Sequence, residues 1–183
     1  MEYSYFAFVK NDTLQENLDF TFNHIVDLLP LIGSRNYNSL AKSAFRKTVI
    51  IHTASIIEAL LFYVVAEKFT NKDVAKYYGG WKLKNRKEIY IIDDNHKIVA
   101  GEYIKKDSKN AKEKLNLGQI ATFLHNKKVL DNDLFQQINF VRNLRNEQHI
   151  CTQKIVKQHS KKDLEKVFSV AKNVKSFVRE LNL

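Results

Sequence analysis

The sequence predicts an all-α protein: an up-and-down bundle of about five helices, in one domain over residues 1–183, with one β-hairpin inserted at about residues 86–106. The chain has one proline and five glycines, and so few breakers favour long helices. Apolar residues recur at helical spacing through most of the chain. One short region instead has two β-branched and aromatic runs around a polar turn. The length suits a single domain with a full core.

The first helix is predicted from Asp12 or Thr13 to about Ile32. Glu16 lies three residues after Thr13, which matches a capping box. Gly33 is expected to end the helix. The apolar positions have the spacing of one helix face: Leu14, Leu18, Phe22, Ile25 and Leu29.

The second helix is predicted to begin at Asn38 or Ser39 and to reach roughly Lys68. From residue 50 to residue 65 it is apolar on nearly every side, which is typical of a helix surrounded by neighbours. The stretch 49–66 approaches membrane-spanning length, but it contains Glu58, and a glutamate at mid-membrane is unfavourable. We therefore expect the central helix of a soluble bundle and no membrane association.

A hairpin is predicted after the break at residues 79–80. Its strands are residues 87–92 and 97–104, and the polar turn between them is residues 93–96. Gly101 is a candidate β-bulge. A lone hairpin is marginally stable in water, so we expect it to pack on the helices or on another subunit.

Three further helices follow. The first is predicted from Leu117 to about Lys127. The next begins at Asp131 or Asn132 and runs toward His149. The last is capped by Ser160, and its inner face carries apolar residues at helical spacing.

Charge and cysteine content restrict the class of partner and compartment. The formal net charge is +10, which favours phosphate-rich partners such as RNA. The alternative is an AT-rich genome, where lysine, asparagine and isoleucine rise together without function. Cys151 is the only cysteine, which excludes an internal disulfide and a cysteine metal cluster. The N-terminus does not resemble a signal peptide. We expect a cytoplasmic protein with no cofactor and no metal.

The segment 140–150 carries the candidate chemistry. If it is helical, four polar side chains fall within an arc of about 100° and a fifth, Asn143, lies just outside it. The four are Arg142, Arg145, Asn146 and His149. An imidazole can take a proton from a ribose 2′-hydroxyl. A guanidinium can bind the phosphate and stabilise charge in the transition state. Such a set would cleave RNA without metal, giving a 2′,3′-cyclic phosphate and a 5′-hydroxyl.

Chance alone also produces this spacing. An arginine followed closely by a histidine is a short pattern, and arginine, asparagine and histidine are common on solvated helix faces. Arg46 and His52 give a second match inside the apolar helix, and we interpret that one as chance. Spacing alone therefore leaves both interpretations open.

The run from Val141 to Ile150 resembles the signature of HEPN domains, a family of helical bundles that includes many RNases of toxin–antitoxin and defence systems. The family pattern is an arginine, four to six residues, and a histidine, with a polar residue directly after the arginine. Arg142, Asn143 and His149 match it, and the segment 46–61 resembles the family's long second helix. The resemblance extends loosely over residues 12–183.

The resemblance implies an endoribonuclease that acts as a homodimer, with RNA as substrate and with an antitoxin or a nucleotidyltransferase as partner. It implies His149 as general base or acid and Arg142 as the residue that stabilises the transition state. Arg145 is the second choice, because only three residues separate it from His149. Asn143 and Asn146 would orient substrate.

Three more residues complete the prediction. Glu58 is a candidate acid that orients Arg142 or Arg145, or else a glutamate at the edge of the bundle. Lys154 and Lys157 belong to a basic run that would hold RNA phosphates, or else to a solubilising loop. Two other functions remain open: a non-catalytic module of this family that binds RNA, nucleotide or protein, and a helical adaptor whose polar stripe is an interface.

Overall fold

The computed structural model describes residues 4–105, 111–147 and 158–183, which are mostly helical and include one antiparallel hairpin. The elements in chain order are α1 (Asp12–Gly33), α2 (Ser39–Lys68), α3 (Asn71–Tyr78), β1 (Trp81–Ile91), β2 (Lys97–Lys105), α4 (Leu117–Asn126), α5 (Asn132–Asn146) and α6 (Lys161–Glu180). Contacts divide the chain into two compact units. The helical unit is Met1–Lys68 with Leu115–Leu183, and the hairpin unit is Phe69–Lys114. The prediction of one domain stays a prediction.

Helix α2 is the centre of the helical unit, as its apolar pattern predicts. Helices α1, α4, α5 and α6 all pack against it. Its completely buried side chains are those of Val49, Ile50, Ala54, Ile57, Leu60, Leu61, Val64 and Val65. Among the described residues, this is the one helix long and apolar enough to cross a membrane, and 61% of its most apolar window is buried inside the protein. The core helix of a soluble protein has the same properties.

The residue that caps the start of α1 is not the predicted one. The N-cap is Asn11, whose side chain accepts a hydrogen bond from the backbone N–H of Leu14 at 2.8 Å. The predicted capping box of Thr13 and Glu16 is wrong, because Thr13 already lies inside the helix. Residues 11–13 are all good capping types, so their identity alone does not select one.

The caps of the later helices follow the predicted pattern. Asp131 caps α5, and Ser160 forms a capping box with Asp163 at the start of α6. Helix α5 ends at Asn146, three residues before His149. The predicted helical arc can therefore be tested only as far as Asn146, since His149 lies outside the described residues.

The hairpin unit contains a helix that was not predicted, α3, with a capping box of Thr70 and Asp73. Strand β1 starts at Trp81, six residues before the prediction. The β-bulge is present, but its extra residue is on β1. The pairing shifts between Lys84 and Lys87, opposite Gly101. A Cβ on Gly101 would lie 2.7 Å from the carbonyl oxygen of Lys84, so the partner strand leaves room for glycine only.

Candidate functional site

Within the helical unit, α2, α4 and α5 enclose a cleft of about 660 Å³. Helix α5 contributes Arg142, Arg145 and Asn146 to it, as the predicted polar stripe requires. The other lining residues come from α2 and from the start of α4: Lys47, Ile51, Glu58, Asn116, Leu117 and Gly118. On the opposite face of α5, Val141 and Leu144 are buried in the core. Because side chains leave a helix in fixed directions, burying one face of α5 in the core turns Arg142, Arg145 and Asn146 toward the cleft.

The carboxylate of Glu58 links the three helices of the cleft. Its Oε2 accepts a hydrogen bond from Nη1 of Arg145 at 2.6 Å, and its Oε1 accepts one from the backbone N–H of Leu117 at 2.6 Å. Leu117 is the first residue of α4, so this N–H has no partner within its own helix. Glu58 therefore holds the guanidinium of Arg145 and also satisfies an N–H in the first turn of α4. Of the two arginines proposed as its partner, the structure has the contact to Arg145.

Arg142 crosses the start of α4 at Gly118. A Cβ built on Gly118 would lie 2.7 Å from Nη1 and 2.9 Å from Cδ of Arg142. The arginine can lie this close only because residue 118 has no side chain. Nη2 of Arg142 donates to Oδ1 of Asn143 at 3.2 Å. Its Nε is buried and has no hydrogen-bond partner among the described residues.

Positive charge dominates the cleft. Lys47, Arg142 and Arg145 carry three formal positive charges, and Glu58 carries one negative charge. The N-terminus of α4 adds the positive end of a helix dipole on the same side. Such an arrangement suits an anion that can accept hydrogen bonds from a guanidinium, of which a phosphate group is the common biological example.

The predicted site residues divide into three groups. Arg142, Arg145 and Asn146 lie together in the cleft with Glu58. Asn143 is exposed and does not line the cleft, but it accepts the hydrogen bond from Arg142. The other three, His149, Lys154 and Lys157, lie outside the described residues.

Two hydrogen bonds bind His159 to α2. Nη1 of Arg46 donates to the carbonyl oxygen of His159 at 3.1 Å, and the backbone N–H of His159 donates to Oγ of Ser43 at 3.0 Å. His159 is 3% exposed. Arg46 and Ser43 thus hold His159 on the helix that also supplies Lys47 and Glu58 to the cleft.

Sequence reasoning missed Lys47 and the start of α4 as parts of the site. Nothing local marks Lys47, because its place in the cleft depends on the packing of α2 against α5. Gly118 carried a signal that could have been used: a glycine near the start of a helix is unfavourable for helix propensity and therefore indicates a close approach.

Within residues 4–105, 111–147 and 158–183, no group of three or more His, Cys, Asp and Glu side chains could hold a metal ion. Comparison with models of protein families, with curated proteins and with solved structures found no match for this chain.

Proposed function

We propose that this protein is a metal-independent endoribonuclease of the HEPN type. The observation that carries the proposal is the cleft, in which Arg142 and Arg145 converge beside the N-terminus of α4. A ribonuclease of this type has to bind a phosphodiester and stabilise added negative charge on it. Two guanidiniums that line the same cleft meet that requirement.

The two arginines have different parts in the proposed reaction. Arg145 is held by Glu58 at 2.6 Å, so its guanidinium has a fixed position and part of its charge is already compensated. Among the described residues that line the cleft, no carboxylate pairs with Arg142, and its contact through Nη2 is with a neutral amide. Arg142 therefore keeps more of its charge available for a phosphate, which favours it as the residue that stabilises the transition state.

The reaction is transfer of the phosphorus from the 5′-oxygen to the neighbouring 2′-oxygen. His149 takes the proton of the 2′-hydroxyl as that oxygen attacks phosphorus. The bond from phosphorus to the 5′-oxygen then breaks, and the 5′-oxygen takes up a proton from water. Arg142 stabilises the charge on the five-coordinate phosphorus, with help from Arg145. Asn143 and Asn146 orient the arginine and the substrate. Lys154 and Lys157 hold phosphates next to the site.

Following the resemblance, we also propose an up-and-down bundle of the HEPN type and a homodimer whose two clefts share a groove. We further propose a cytoplasmic location and an antitoxin or nucleotidyltransferase as partner. The mostly helical fold with one inserted hairpin is compatible with the bundle.

The test is cleavage of labelled RNA by the purified protein in EDTA. We expect products that end in a 2′,3′-cyclic phosphate and a 5′-hydroxyl. His149→Ala should abolish cleavage, and Arg142→Ala should lower the rate by about 10² to 10³, as for the loss of one charge-stabilising group. Arg35→Ala is the matched control, because Arg35 is exposed and does not line the cleft.

Two results would count against the enzyme. Cleavage that persists in His149→Ala, or that requires magnesium, contradicts the mechanism. RNA binding that depends on Arg142 but yields no cyclic phosphate favours the alternative, a non-catalytic module that binds RNA through the same cleft.

A further inference from the structure

Helices α1 and α6 both pack on α2, and an apolar groove of about 380 Å³ lies between them. Its floor is formed by α2 through Thr53, Ile56 and Leu60. The groove shares no lining residue with the cationic cleft. An inference about it is therefore independent of the proposed ribonuclease activity.

The α1 wall of the groove is a stripe of apolar side chains. Phe22, Ile25, Val26 and Leu29 have the spacing i, i+3, i+4 and i+7, so they form one face of the helix over two turns, about 10 Å long. Val26 is 45% exposed and Leu29 is 37% exposed. A small ligand enclosed in the groove would leave these exposed side chains uncovered. Their exposure therefore indicates a larger apolar partner that covers them.

The α6 wall combines apolar and basic residues. Phe168 and Ala171 continue the apolar lining. Lys172 and Lys175 also line the groove. Arg179 lies beyond the lined part, at i+7 from Lys172, so helical spacing places the three on one basic side of α6. The partner must therefore meet an apolar surface on one side and a row of positive charges on the other.

Lys175 is half-buried at the rim of the groove. Its Nζ lies 5.1 Å from the ring centre of Phe6, above a face of the groove. Burial, and after it the neighbouring Arg179, lower the pKa of Lys175, while Asp19 acts in the opposite direction. A carboxylate brought to this rim would stabilise the ammonium form.

We propose that the groove binds an amphipathic helix of a partner protein. Its apolar residues, at i, i+3 or i+4, and i+7, would pack on α1 and on the floor, and aspartate or glutamate along its flank would face Lys172, Lys175 and Arg179. The two-turn length of the α1 stripe matches this set of anchors, as in other complexes of a helix in a groove. Charge complementarity selects an acidic helix over a basic one.

The test uses a fluorescein-labelled, helix-favouring peptide with leucine at i, i+4 and i+7 and glutamate on the flank. Fluorescence anisotropy should show saturable binding to the full-length protein. The double variant Lys172→Glu/Lys175→Glu should weaken binding about tenfold, because like charges then face each other. A second peptide with lysine in place of glutamate should bind this variant better than it binds the wild type.

Matched controls separate the groove from general charge effects. Lys162→Glu makes the same change on the same helix, outside the groove, and should leave the affinity unchanged. Leu29→Glu should abolish binding, and circular dichroism verifies that this variant remains folded.

Three outcomes overturn the proposal. The first is that neither peptide binds. The second is that decanoate saturates the groove while the peptides do not, which would make the site one for a small amphiphile. The third is a dimer in light scattering that Leu29→Glu dissociates, because a second copy of the chain would then occupy the groove.

Discussion

Gly118 and Glu58 act on the two arginines of the cleft in different ways. Gly118 makes room, since any side chain there would meet the guanidinium of Arg142. Glu58 holds Arg145 by an ion pair and completes the hydrogen bonding of α4. Neither residue has to touch substrate to affect the site, so each gives a separate test of how the cleft is built.

Gly118→Ala should displace Arg142 without unfolding the protein. The new Cβ would lie 2.7 Å from Nη1, but the obstacle is the end of a flexible side chain, so the guanidinium moves and α4 does not. We expect RNA affinity to fall about tenfold, the order of one lost charge-assisted hydrogen bond. The melting temperature should stay equal or rise, since alanine favours helix.

The control for this prediction is Gly33→Ala. A Cβ on Gly33 meets nothing within 4 Å, so this variant should keep the RNA affinity of the wild type. Anisotropy titrations with a labelled RNA measure both. Equal affinity in both variants would show that the position of Arg142 does not govern RNA binding.

Glu58→Ala should destabilise the protein more than Glu58→Gln does. Alanine leaves both the N–H of Leu117 and the guanidinium of Arg145 without an acceptor, which lowers the free energy of unfolding by about 1–3 kcal/mol. Glutamine retains an acceptor and loses the charge, so its effect should be smaller. Urea denaturation compares the two.

Glu67→Ala provides the reference for these variants. Glu67 is exposed near the end of the same helix, and its replacement should change the free energy of unfolding by less than about 0.5 kcal/mol. If Glu58→Ala is no less stable than Glu67→Ala, the link between α2, α4 and α5 is unimportant for stability.

Among the elements, α6 depends on its first turn. Ser160 accepts a hydrogen bond from the backbone N–H of Asp163 at 3.1 Å, and Asp163 accepts one from the backbone N–H of Ser160 at 2.8 Å. Ser160 also directly follows His159, which is bound to α2. The cap therefore sets where α6 begins relative to the helix that forms the core.

Ser160→Ala should lower the free energy of unfolding by about 1 kcal/mol, the usual loss for an N-cap serine. Ser169→Ala, at an exposed position in the interior of α6, should be neutral or slightly stabilising because alanine has the higher helix propensity. Thermal or urea unfolding of the two variants gives the comparison. A loss of equal size in both would mean that the cap has no special role.

The packing of α1 on α2 should depend on pH through His52. His24 and His52 have ring centres 4.9 Å apart. Burial, and after it the charge of His24, lower the pKa of His52 below its usual 6.5. The unfolded chain therefore binds more protons than the folded protein below about pH 6.5, so stability is full above that pH and falls as the pH drops through the folded pKa.

This prediction is tested by urea denaturation between pH 7.5 and pH 5. The denaturation midpoint of the wild type should fall over this range more than that of His52→Gln, which cannot titrate at residue 52. Parallel curves for the two proteins would contradict the assignment to His52.

For the whole molecule, the charge of +10 predicts RNA affinity even away from the cleft. Affinity at one salt concentration therefore cannot identify a specific site. The slope of log affinity against log salt concentration can, since it counts released counterions. Arg142→Ala should lower the magnitude of that slope by about 0.7, the value for one phosphate contact on single-stranded RNA.

Arg35→Ala is again the control and should leave the slope unchanged, because Arg35 lies outside the cleft. A slope that Arg142→Ala does not change would mean that RNA binds elsewhere on the basic surface.

Local sequence predicted the long helices more accurately than the short elements of the hairpin unit. The long periodic patterns of α2 and α6 fixed their type and nearly their limits. The eight-residue α3 was missed because so short a helix gives few repeats of the pattern, and its formation depends mainly on a capping box. The start of α1 was predicted only to within the adjacent capping residues 11–13.

The sequence by itself determined that the chain is mostly helical, that α2 is central, and that one face of α5 is polar while the other is buried. These follow from period and polarity, which neighbouring residues decide. Only the tertiary structure decided that Glu58 binds Arg145, 87 residues away, and accepts the N–H of Leu117, 59 residues away. Such contacts depend on how separate helices pack together, and no local pattern contains that information.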